Sequence, residues 1–119
     1  MESLERIIML SYIQVATTVG KKDQARAIAQ KVLNKRLAAC VQITACSSMY
    51  RWKGRVETDE ELLVVMKSRR DLFNALKKVI ITNHPYEVPE ILATPVVKGN
   101  KEYLAWLDKE LLPAKTEEK

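Results

Sequence analysis

Two consecutive β-prone runs, residues 38–52 and 55–67, meet at Lys53-Gly54, and no other feature of the chain narrows its fold as much. The first run, AACVQITAC and onward, alternates: Ala39, Val41, Ile43 and Ala45 face one way, Cys40, Gln42, Thr44 and Cys46 the other, and the run continues through Met49, Tyr50 and Trp52. The second run, Arg55 to Lys67, closes on the apolar stretch LLVVMK. Joined at a glycine-containing turn, the two form a hairpin whose arms are about a dozen residues long, against a usual five or six. If Lys53-Gly54 is a two-residue turn and no bulge intervenes, Cys40 faces Lys67 and Tyr50 faces Glu57 across the strands.

The flanking segments supply the remainder of a domain. Residues 6–17 form an apolar, β-branched-rich strand that Gly20 interrupts. Ala25, Ile28, Ala29, Val32 and Leu33 then recur at helical spacing, which predicts a helix over 21–36. Ser68-Arg69-Arg70-Asp71 has the spacing of a capping box, so a second helix is expected to start there, burying Leu72, Leu76, Val79 and Ile80. It is stopped by NHPYEVPE at 83–90, where each proline biases the preceding residue, His84 or Val88, towards extended backbone. Residues 90–98 read as a fourth strand, with Pro95 marking an edge or a bulge. Gly99-Asn100 breaks the chain and caps a last helix carrying Tyr103, Leu104, Trp106, Leu107 and Leu111, before a polar tail at 113–119.

The order β-α-β-β-α-β plus a terminal helix predicts an α+β fold, the ferredoxin-like split βαβ. It has one antiparallel sheet with two helices on one face. The chain's 119 residues suit a single domain, with a core over about 7–111. No apolar run reaches the roughly 20 residues that span a bilayer. Cys40 and Cys46, on one strand, would sit about 20 Å apart and cannot form a disulfide, and unpaired thiols suit a reducing, cytoplasmic setting. The net charge of +5 is spread over helices and mixed with acids, as solvated helix faces are, so no nucleic-acid partner is expected. The hairpin's outer half is different. It would expose Met49, Tyr50, Trp52 and Val56 together with an open strand edge, and sister copies are the natural cover, with Trp52 as an anchor.

Four stretches, KRLAACV (35–41), SMYRWKGRVETDEE (48–61), NHPYEVPE (83–90) and GNKEYLAWL (99–107), resemble the CutA family of divalent-cation tolerance proteins in order and spacing. The resemblance implies a ferredoxin-like subunit, a homotrimer built through the long hairpins, and a distant likeness to the trimeric PII signalling proteins. It also implies links to copper tolerance and copper binding, with no agreed catalytic reaction. The positions matching the family's candidate site are Cys40, His84 and the acidic and aromatic residues near them. Where some bacterial members carry a cysteine ending the first strand and a second histidine before the His-Pro, this chain has Thr17 and Asn83.

Chemically, a thiolate from Cys40 and an imidazole from His84, the only histidine, suit Cu(I), Cu(II) or Zn(II), and Glu61 or Glu90 could complete a donor set. Each also has a plainer use: Cys40 as a small packed hydrophobe, His84 as a hydrogen-bonded turn residue. One cysteine and one histidine do not close a tetrahedral site, so ligands gathered from adjacent chains are expected. Lys67, Tyr86 and Trp52 are further pocket candidates, and Tyr50, Trp52, Tyr103 and Trp106 candidate contacts between subunits. A Cys40/His84 nucleophile pair lacks an orienting third group and an oxyanion donor, so no enzymatic role is expected. The alternative is a PII-like trimer binding a small anion near Lys67, Arg69 and Arg70, though no glycine-rich phosphate loop supports a nucleotide.

Overall fold

The computed structural model describes residues 11–114. The elements run β1 (Tyr12–Val19), α1 (Lys22–Asn34), β2 (Cys40–Trp52), β3 (Arg55–Arg69), a single 3₁₀ turn (Arg70–Leu72), α2 (Phe73–Asn83), β4 (Leu92–Pro95) and α3 (Lys101–Glu110). One antiparallel sheet has the order β2-β3-β1-β4. This is the ferredoxin-like arrangement, with the expected fold class and element order.

Period-two alternation builds the sheet's inner face: along β1, Ile13, Val15, Thr17 and Val19 are buried and the residues between them only half so. Val64 and Met66 of β3 lie on the same face and are fully buried. Against them pack Ala25, Ile28 and Val32 from α1 and Leu76 and Ile80 from α2, all sealed from solvent. Helical period meets strand period in a single core.

The helix α3 covers the other face at the end where β1 begins, placing Tyr103 beside Lys67. Two arginines clasp its C-terminal end. Arg36 donates to the carbonyls of Lys109 and Glu110, both at 2.9 Å, and fully buried Arg69 donates to Asp108 at 2.9 Å, to Asp71, and to the Leu112 carbonyl. The Lys109 and Glu110 carbonyls end the helix, where no intrahelical partner is left for them.

The hairpin has the register read from its turn. Lys53 and Gly54 both take positive φ, 49° and 78°, as a tight two-residue hairpin loop requires. Pairing then runs unbulged from Trp52↔Arg55 through Tyr50↔Glu57 to Cys40↔Lys67. The arms are 13 and 15 residues long, while β1 pairs only with the inner half of β3, Leu62 to Arg69. The outer half therefore projects, stretching the molecule to 53 × 29 × 28 Å. On that projection Met49 is 72% exposed, Trp52 57% and Val56 57%.

Three expectations need correction. The capping box does not form: the Ser68 hydroxyl donates to the Leu37 carbonyl at 2.6 Å, Asp71 is held by Arg69, and the chain makes a 3₁₀ turn before α2 starts at Phe73. The fourth strand is four residues, not nine, because only β1 lies beside it and pairing ends at Pro95. The first strand continues to Val19 instead of stopping at residue 17, while residues 6–10 of its expected span, and 115–119 of the tail, lie outside the described residues. Asn100 does cap α3, its side chain accepting from the Glu102 and Tyr103 amides.

Candidate functional site

Where β1 ends, the 84–90 corner folds over the sheet beside the hairpin. Pro85 forces His84 out of the helix into extended backbone (φ −93°, ψ 138°), which turns its ring back towards β1. There Nε2 lies 2.9 Å from the Thr18 carbonyl and 3.1 Å from the hydroxyl of buried Thr17, and Nδ1 lies 3.1 Å from the Tyr86 amide. A carbonyl can only accept and an amide N–H can only donate, so Nε2 carries the proton and Nδ1 accepts. The ring is a neutral bridge between strand and corner. Burial holds His84 below its ordinary 6.5, outweighing the Thr18 carbonyl and the Glu61 charge, which pull the other way.

The bridge sets Tyr86. Its ring lies 4.9 Å from that of His84, and its hydroxyl donates to Glu61 on β3 at 3.0 Å. Burial, then that bond, raise the phenol above its ordinary range, so it stays a donor. Asn83, next to the histidine, is turned away, its amide donating to the Val79 carbonyl at 2.8 Å.

Between this corner and the hairpin lies a cleft of about 780 Å³. Glu61, Glu87 and Glu90 supply its carboxylates, and Tyr50, Trp52 and Tyr86 its rings; no lysine or arginine lines it among the described residues. Tyr50 on its wall donates to Asp59 and is pushed up to about 12, chiefly by that bond.

Of the residues singled out from sequence, the structure thus brings Glu61, Glu90, Tyr86, Trp52 and Tyr50 together, with His84 behind them as a support. It does not bring Cys40 or Lys67. His84 sits at Thr18, which pairs with Leu63 and through it with Thr44, two strands across the sheet, and Cys40 lies four residues further along β2, about 13 Å beyond Thr44. The expected Cys40–His84 donor pair is not assembled within one chain, and both nitrogens of His84 are already engaged. Lys67 lines a separate cavity with Tyr103, whose ring stacks on exposed Trp106 at a centroid distance of 5.5 Å. Cys46, outside the expected donor set, lies directly across from Glu61, a pairing that the hairpin register alone determines. Among the described residues, no three of His, Cys, Asp and Glu approach closely enough to hold an ion.

This split βαβ sheet with an overlong, uncovered hairpin and an acidic, aromatic cleft at its base defines a ferredoxin-like α+β protein specialised in its hairpin and corner. The description "CutA1 divalent ion tolerance protein" matches residues 13–110, and the chain belongs to that family. It is 47% identical to the divalent-cation tolerance protein CutA of Thermus thermophilus over 94 residues, 78% of this chain and 91% of that one. To the human protein CutA it is 46% identical over 91 residues, covering 76% of this chain but only 51% of the human one, about half its length. Its fold matches the crystal structure of CutA1 from Oryza sativa with a TM-score of 0.85 at 37% identity, over 90% of this chain and 99% of that one. The family name speaks of tolerance to divalent ions and names no reaction.

Proposed function

We propose that this chain acts, without catalysing a reaction, as a homotrimer that binds divalent metal ions, copper foremost, at junctions between subunits, and so contributes to metal tolerance. The observation that carries the reading is the cleft: Glu61, Glu87 and Glu90 face one space, and among the described residues no lysine or arginine lines it, nor does any group of three donors close a ligand set within one chain. Donors from a second copy complete the shell. The long β2 edge, which no strand among the described residues pairs on its outer side, and the apolar hairpin supply the reason for copies to meet. The names of relatives support divalent ions; the Cys46 thiol, beside Glu61, adds the soft donor that favours copper. Against catalysis stand the separation of Cys40 from His84 and the commitment of both imidazole nitrogens. Two free thiols, Cys40 and Cys46, support a reducing, cytoplasmic setting.

Calorimetric titration with Cu(II), Cu(I) and Zn(II) tests this. Saturable binding weakened at least tenfold by Glu61→Gln is expected, with Cys46→Ser selectively weakening Cu(I). Equal binding by the parent and Glu61→Gln would remove the cleft as the site.

A further inference from the structure

A second cavity, of about 200 Å³, lies under α3 on the opposite side of the sheet from α1 and α2. Its walls are mostly apolar, formed by Tyr12 of β1, Val96, and Leu104 and Leu107 of α3, with the Gln14 side chain beside Lys67 as the other polar group from the sheet. At its rim stands one ammonium, Lys67, held 5.4 Å from the centroid of the Tyr103 ring and 3.5 Å from its hydroxyl. Among the described residues no carboxylate pairs with Lys67, whereas the neighbouring guanidinium of Arg69 is fully occupied by Asp71, Asp108 and the Leu112 carbonyl.

An apolar cavity with a single convergent cation is the pattern of a site for a small organic anion: the walls take the body and the charge fixes the orientation. Size narrows the class. A dry cavity of about 150 Å³ accommodates benzene, so about 200 Å³ holds a six-membered ring or a branched five-carbon body with one carboxylate reaching the rim. Inorganic phosphate or a nucleotide would leave the apolar walls unused. We infer that this cavity binds a small monocarboxylate with a compact apolar body, its carboxylate on Lys67 and the Tyr103 hydroxyl. The site lies within one copy and apart from the acidic cleft, so it stands independently of the metal reading.

Benzoate and its neutral isostere benzamide are the probes, titrated calorimetrically into the assembled protein. Saturable benzoate binding at least tenfold tighter than benzamide is expected. Lys67→Met, which keeps the side-chain stem, should bring benzoate down to the benzamide level. Leu104→Phe, which fills the cavity and leaves Lys67 in place, should abolish binding of both. Benzoate binding no better than benzamide in the unaltered protein, or benzoate affinity unchanged by Lys67→Met or by Leu104→Phe, would overturn the assignment. Because the first comparison needs no variant, misfolding cannot obscure it.

Discussion

Replacing His84 with alanine removes the side chain that ties the 84–90 corner to the end of β1. Its imidazole donates to the Thr18 carbonyl at 2.9 Å and accepts from the Tyr86 amide at 3.1 Å. Two such bonds at about 0.5–1.5 kcal/mol net each set a loss of about 1–3 kcal/mol. The Thr17 hydroxyl, fully buried and 3.1 Å from the ring, loses that partner too, which pushes the loss to the upper end of the range. Urea denaturation should show a lower midpoint at an unchanged slope. Hydrogen exchange should show the Tyr86 amide opening faster while the amides of Val15 and Val64 in the core do not. Acid should narrow the difference between parent and variant. The folded state holds His84 below its ordinary 6.5, so the unfolded chain binds the proton more readily, and the contribution is fully present above that pH and lost as pH falls through the depressed folded value. An unchanged midpoint with unchanged Tyr86 exchange would refute the bridge, and a stability difference that grew in acid would refute the tautomer.

Other perturbations address the remaining parts of the structure. Arg69→Met leaves Asp71 and Asp108 beside an uncharged, buried neighbour and unfastens α3, so a loss of about 3–5 kcal/mol is expected in thermal unfolding; a loss below about 1 kcal/mol would contradict the clasp. Asp59→Asn should lower the Tyr50 phenol from about 12 towards its ordinary 10.0, because its carboxylate is the chief cause of the rise, and an ultraviolet absorbance titration unchanged by the substitution would show that the bond does not persist in solution. Gly54→Val places a β-branched residue at φ 78°, at a cost of about 1–2 kcal/mol read from the unfolding midpoint, and no change would mean the tight turn is not held.

Local pattern made some of this structure legible and tertiary competition hid the rest. The turn at Lys53-Gly54 fixes every cross-strand partner in the hairpin, because no bulge interrupts the count from Trp52 to Cys40. The same count places Cys46 opposite Glu61, so that pairing is legible from the turn alone. The capping box failed because Asp71 pairs with Arg69 inside the same four residues and Ser68 donates to the Leu37 carbonyl, 31 residues away, which no local pattern signals. Pro85 correctly predicted the stiffness at His84. It could not reveal that the ring would be spent on Thr17 and Thr18, more than half the chain away, or that the acidic cleft would gather Glu61 from the hairpin and Glu90 from the corner.

The projecting hairpin, with its exposed Met49, Trp52 and Val56, calls for cover by sister copies. Sedimentation equilibrium at low micromolar protein measures this directly. A particle of three times the 13.6 kDa subunit mass is predicted, and a stably folded species at 13.6 kDa would contradict it.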